Sequence, residues 1–185
     1  MENCCILCGN KTQDSRRLCW FCESKIHALD NLKQLYLLCG PSGSGKSTFS
    51  HSLITQGDNT IVVSRDIIRF SLLKDGEPYF KKEKTVFRNY VNSIQTAINN
   101  NINIVVADAT HLNEASRNKL LDALNLKDYE IVAVNFTLPI HVCLERNARR
   151  TGLSKVPEHV IRQQFENFVP AAEGEKYKYT KIFNI

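Results

Sequence analysis

Nowhere does the 185-residue chain hold an uninterrupted apolar stretch near the ~18–20 residues that a bilayer-spanning helix needs, so no membrane partner is expected. Its first residues, MENCCILCGN, lack the charged start and apolar run of a signal peptide, and a cytoplasmic chain is the expectation. Without a secretion signal the seven cysteines are read as reduced thiols or metal ligands rather than as a disulfide scaffold. Charge is not gathered into one block: the formal +5 is spread along the chain and suggests only mild affinity for polyanions. There is no internal repeat and no low-complexity tract beyond a short polar turn at Asn99, Asn100 and Asn101.

What is present is enough apolar material, 43% of the chain, for one good core and too little length for two ordinary domains. Five cysteines fall in residues 1–22, followed by a polar run. A boundary near residues 31–33 therefore divides a zinc-binding segment, 1–32, from a main domain, 33–185. In the main domain short apolar runs alternate with longer mixed segments, the pattern of a covered parallel sheet. Strands are predicted at 35–39 (LYLLC), 60–64 (TIVVS), 102–107 (INIVVA), 130–136 and 180–185. Helices are predicted at 46–56, as two pieces within 66–100, from an Asn113 cap to 124, and from Pro139 to about 149. The fold class is α/β: a mostly parallel five-stranded sheet flanked by helices.

Between the first strand and the first helix stands Gly40-Pro41-Ser42-Gly43-Ser44-Gly45-Lys46-Ser47, a full match to GxxxxGK(S/T). Both contexts that the motif requires are there. Glycines let backbone N–H groups wrap a phosphate, and the helix start adds its positive dipole end. Lys46 meets the outer phosphates and Ser47 offers a hydroxyl to Mg²⁺. Gly40, Ser42, Gly43, Ser44, Gly45, Lys46, Ser47 and Thr48 are the predicted nucleotide-binding residues, against the bland reading of a Gly/Ser-rich connecting turn.

Strand ends line the ligand crevice of a parallel sheet. At the second stands SRDIIR, residues 64–69, where Asp66 can take the proton of an attacking hydroxyl and Arg69 shares its helical face. An ordinary surface ion pair is the competing account. Asp108 ends the third strand, near metal or substrate or else as a turn aspartate, with Thr110 and Asn113 behind it. Arg146, Arg149 and Arg150 precede Pro157 in what reads as a mobile lid, where a guanidinium stabilises charge on a transferring phosphoryl group. At least one of the three is expected to be solvated helix surface.

GPSGSGKST, SRDIIR, VVADAT and RNARRTGLSKVP together resemble the kinase domain of the phage polynucleotide 5′-hydroxyl kinases, over about residues 34–170. The resemblance implies a P-loop kinase of nucleic acid repair using ATP and Mg²⁺. It makes Asp66 the base for the 5′-hydroxyl, Arg69 a contact to the acceptor strand's phosphate, and Asp108 part of the acceptor site with Thr110. Lys46 and Ser47 would hold ATP and Mg²⁺, and Arg150 would be the lid arginine with Arg146 as second candidate. The implied partner is single-stranded or end-exposed nucleic acid. The chain departs from the family at Ile67, where a second acidic residue is found in a family member, and in Ala109-Thr110-His111 after the acidic strand end. Two other readings stay open: a P-loop kinase of a nucleoside or other small molecule, and a nucleotide-gated nucleic-acid-binding module.

Cys5-Ile6-Leu7-Cys8 and Cys19-Trp20-Phe21-Cys22 are two CxxC pairs ten residues apart. Each can offer two thiolates from one tight turn, so Cys5, Cys8, Cys19 and Cys22 are predicted to ligate Zn²⁺ in a small knuckle, with Cys4 as a substitute for Cys5. Cys39 and Cys143 sit in apolar text and are read as buried small hydrophobes.

Overall fold

The structure is a computed structural model that describes residues 33–56, 59–74 and 76–185. The predicted zinc ligands Cys5, Cys8, Cys19 and Cys22 lie outside the described residues. From its start the chain runs β1 (Gln34–Cys39), α1 (Lys46–Gln56), β2 (Thr60–Ser64), α2 (Arg65–Leu72), α3 (Glu83–Asn99) and β3 (Ile104–Asp108). There follow α4 (Glu114–Leu121), β4 (Glu130–Asn135), α5 (Ile140–Ala148), a single 3₁₀ turn (Gly152–Ser154), α6 (Glu158–Glu166) and β5 (Lys181–Asn184).

The strands form one sheet in the order β2-β3-β1-β4-β5, every pair parallel. Its strands lack an alternating polar face because both faces are covered. Leu35, Leu37, Cys39, Val105, Ala107, Ile131 and Ala133 face Tyr90, Ile94, Ala97 and Ile98 of α3 and Leu120 and Leu121 of α4. On the opposite face Tyr36, Leu38, Val106, Val132 and Val134 meet Phe49 and Leu53 of α1. The period-2 alternation along β1 thus feeds two separate cores.

Chain order sets the site. β1 leads through α1 to β2 on one side, whereas its neighbour β3 leads through α4 to β4 on the other. Loops after β1 and β3 therefore part company and leave a crevice at the strand ends. Leu38 pairs with Asp108, and Asp108 with Ser64, so the phosphate loop, Asp108 and the start of α2 emerge at one level.

Two boundaries differ from the sequence reading by more than one residue. β3 starts at Ile104, not Ile102, because Asn101 adopts φ +56° and ends α3: its N–H reaches the Ile98 carbonyl while that of Ile102 reaches Ala97. This is a Schellman closure, with asparagine in the left-handed position that glycine usually takes. Helix α4 starts at the predicted Asn113, whose side chain accepts from Ser116 N–H in a capping box, but ends at Leu121. Ala123 and Leu124 then bond carbonyls three residues back, a tightened last turn rather than more α-helix.

One polar cluster sits inside the core. Arg117, fully buried, donates Nε–H to Glu175 at 2.9 Å, pairs with it again through Nη2, and donates Nη1–H to the carbonyls of His111 and Val169. It ties the segment entering β5 to the loop after β3. His111 itself donates its Nδ1–H to Leu38 O, 2.9 Å away, and burial pushes its imidazole down to about 4, so it is neutral in the folded protein.

Candidate active site

A cleft of about 850 Å³ opens at the strand ends, with the phosphate loop as its floor. Gly43 has φ +84°, and a Cβ there would lie 2.5 Å from the Cys143 carbonyl oxygen, so only glycine lets the loop rest against α5. Cys143 and Cys39 are buried as expected. Gly40 is not on the cleft wall; its N–H donates to Thr110 O at 2.8 Å and turns the strand into the loop.

Lys46 folds back over its own loop, donating to the carbonyls of Gly40 at 2.8 Å and Pro41 at 2.7 Å. Burial pushes its ammonium down to about 8, against the pull of Asp108 and Asp66. An ammonium desolvated in this way gains from any anion brought to it. Beside it Ser47 Oγ donates to Asp108 Oδ2 at 3.2 Å. Burial raises the Asp108 carboxyl, with Lys46 and Ser47 opposing. Asp108 is therefore neither a helix cap nor a turn aspartate but half of a hydroxyl–carboxylate pair at the foot of α1. Two hard oxygen ligands side by side, next to a phosphate loop, suit Mg²⁺.

Across the cleft α2 springs from β2 with no loop, capped by Ser64, and presents Asp66 in its first turn. The Asp66 side chain is 56% exposed and accepts from Arg69 and, at 2.8 Å, from Tyr79 Oη; both bonds fall on Oδ1. Arg69 is only 4% exposed. It also donates to Glu83 at 3.0 Å and to Tyr79 at 2.9 Å, so the pair is no ordinary surface ion pair. Glu83 joins Arg65 as well. Two guanidinium groups and two carboxylates thus neutralise one another along this wall.

The sequence-predicted residues Ser42, Gly43, Ser44, Gly45, Lys46, Ser47, Thr48, Asp66, Arg69, Asp108, Thr110, Arg146 and Arg150 all line this one cleft. Arg149 does not; it pairs with Glu145, both well exposed, and is the solvated arginine expected among the three. Arg65, Tyr79, Phe80, Glu83 and Gln164 were missed. Gln164 Oε1 accepts the Ser42 N–H at 2.8 Å across 122 positions, a contact that only the fold creates. Tyr79 and Phe80 follow Pro78 between the two predicted helical pieces, and an aromatic pair in a turn was the one available signal.

The AAA domain family matches residues 35–171. The chain belongs to that family. Over 163 residues it is 27% identical to a protein of Autographa californica nuclear polyhedrosis virus that bears the provisional name bifunctional polynucleotide kinase/RNA ligase, covering 80% of this chain and 23% of that protein. A chain in the structure of the Pnkp1/Rnl/Hen1 RNA repair complex superposes with TM-score 0.64 at 24% identity, over 78% of this chain and 50% of its own length. A sugar kinase from Janibacter sp. HTCC2649 does so with TM-score 0.58 at 14% identity, over 82% and 85%. The AAA domain member described here thus spans half or less of the first two proteins it matches, and the structural likenesses speak for the fold. No helix among its described residues is long and apolar enough to cross a membrane.

Proposed function

We propose that residues 33–185 form an ATP-dependent kinase that transfers the γ-phosphate to the 5′-hydroxyl end of a DNA or RNA strand, with Asp66 as general base. One observation carries the reading: a half-exposed carboxylate faces a phosphate loop and a metal-type hydroxyl–carboxylate pair across a single cleft. The names borne by the viral relative and by the RNA repair complex support a nucleic-acid acceptor; the sugar kinase neighbour keeps a small-molecule acceptor as the rival.

Loop amides and Lys46 hold the triphosphate. Lys46 leaves the Gly40 and Pro41 carbonyls to do so. Mg²⁺, held by Ser47 and Asp108, would offset charge on the phosphate oxygens. The acceptor hydroxyl gives its proton to Asp66 Oδ2, the oxygen free of Arg69 and Tyr79, as its oxygen bonds the γ-phosphorus. The bond from that phosphorus to the β–γ bridging oxygen breaks, and ADP leaves. Arg150 and Arg146 line the same cleft and are assigned to the donor phosphates. Arg69 is assigned first to fixing Asp66 and, from its place on the cleft wall, to the acceptor strand's phosphate.

Labelled ATP offered to 5′-hydroxyl oligonucleotides, nucleosides and simple sugars tests this reading. Phosphate on the oligonucleotide end is expected, and label on sugars alone would refute it. Residues 1–32 are proposed as a separate zinc knuckle on Cys5, Cys8, Cys19 and Cys22. One equivalent of zinc is expected in the purified full-length chain and none after a Cys5→Ser, Cys8→Ser double exchange; a metal-free parent protein would end that proposal.

A further inference from the structure

Phe80 has no part in the chemistry above, yet it stands on the cleft wall and is 58% exposed. A single exposed phenylalanine is common on protein surfaces and asks for no explanation. Three observations set this one apart. Among the phenylalanines and tyrosines of the described residues it is the one left exposed, and it lies within the cleft beside Asp66 rather than on the outer surface.

Its position is also fixed. Lys81 N–H donates to Pro78 O at 3.0 Å and Glu83 N–H to Phe80 O at 3.3 Å, so the backbone is a closed turn leading into α3. The ring meets Tyr79 edge to face, with centroids 4.8 Å apart, and Tyr79 meets Phe70 in the same manner at 6.3 Å. Arg69 lies 4.4 Å over the Tyr79 ring, and the Tyr79 hydroxyl ends on Asp66. The ring is thus joined through Tyr79 to the proposed base, and contacts that hold it in place reduce the order to be gained when a ligand arrives.

The surrounding charge completes the argument. Arg65, Arg69, Asp66 and Glu83 cancel within one network, so this wall offers no net charge to grip an anionic small molecule. What it offers is a half-exposed aromatic ring, with the Arg69 guanidinium 5.8 Å from its centroid and the rest of the ring open to the cleft.

From these we infer that Phe80 is the stacking platform for a nucleobase of the acceptor, seated so that the adjoining 5′-hydroxyl reaches Asp66. This rests on the kinase reading above and narrows its acceptor to a base-bearing one. Every base has a π face, so recognition is tolerant of sequence. A polynucleotide end and a free nucleoside share this chemistry.

The test uses the full chain with saturating ATP and five acceptors: a 5′-hydroxyl oligonucleotide, the same strand made abasic at its first or at its second position, a nucleoside, and ribose. One base–aromatic stack is expected to make KM for the base-bearing end about tenfold lower than for an abasic end. Phe80→Ala should erase that preference while ATP affinity stays as in the parent, and Phe80→Trp should restore it. A nucleoside used as well as the strand would support the platform and name the nucleoside as the source. Equal KM for intact and abasic ends, or a preference that survives Phe80→Ala, overturns the assignment of Phe80 alone. Phosphorylation of ribose with neither base-bearing acceptor used overturns the kinase reading and this inference together.

Discussion

Asp66→Asn is expected to lower the rate of phosphate transfer about 10²–10⁴-fold, the usual worth of a positioned general base, while ATP affinity stays within a factor of about two. The exchange is a narrow one. Asparagine keeps an Oδ1 that can accept from Tyr79 and Arg69, so the wall should hold its shape. What it replaces is the oxygen free of both, the one that would take the proton. Single-turnover transfer to a labelled 5′-hydroxyl strand gives the rate, and titration with a fluorescent ATP analogue gives the affinity. Transfer at the parental rate would remove Asp66 from the chemistry. Loss of ATP binding would instead point to collapse of the Arg69–Glu83–Arg65 network.

Arg117→Met should cost about 3–5 kcal/mol of stability, the typical result of leaving one partner of a buried ion pair uncompensated. Glu175 would stay at the surface of the core with no guanidinium beside it, and the carbonyls of His111 and Val169 would lose a donor. Urea unfolding of the variant and of a double exchange, Arg117→Met with Glu175→Gln, measures the effect. The double variant should recover part of the loss, because a neutral amide is far less costly to leave unpaired than a carboxylate. A midpoint unchanged in the single variant would show that the pair contributes nothing.

The sheet was legible because its physical cause is local. Apolar runs such as LYLLC and TIVVS have nowhere to go but a covered strand, and the glycine-rich stretch after β1 has one well-defined use. Asp66 and Asp108 were legible for a related reason, since chain order alone puts strand ends at a crevice. Asp108's bond to Ser47 was not, because it joins loops 61 positions apart and depends on β1 and β3 being neighbours. Glu83, missed in the sequence, stands at a helix start, where a charged residue is ordinary. Only folding α3 back on α2 shows that it bridges two arginines. Arg117 was hidden for the opposite reason, as a charged side chain in a helix reads as solvent-facing until a partner 58 positions away is seen.

The β-sheet order has a further consequence for how such proteins diversify. The residues assigned to the donor come from the loop after β1, the end of β3 and the arginines of the segment around α5, whereas the wall assigned to the acceptor comes from one stretch that runs from α2 to the start of α3. Substitutions in that stretch can refashion what is accepted without disturbing how energy is delivered.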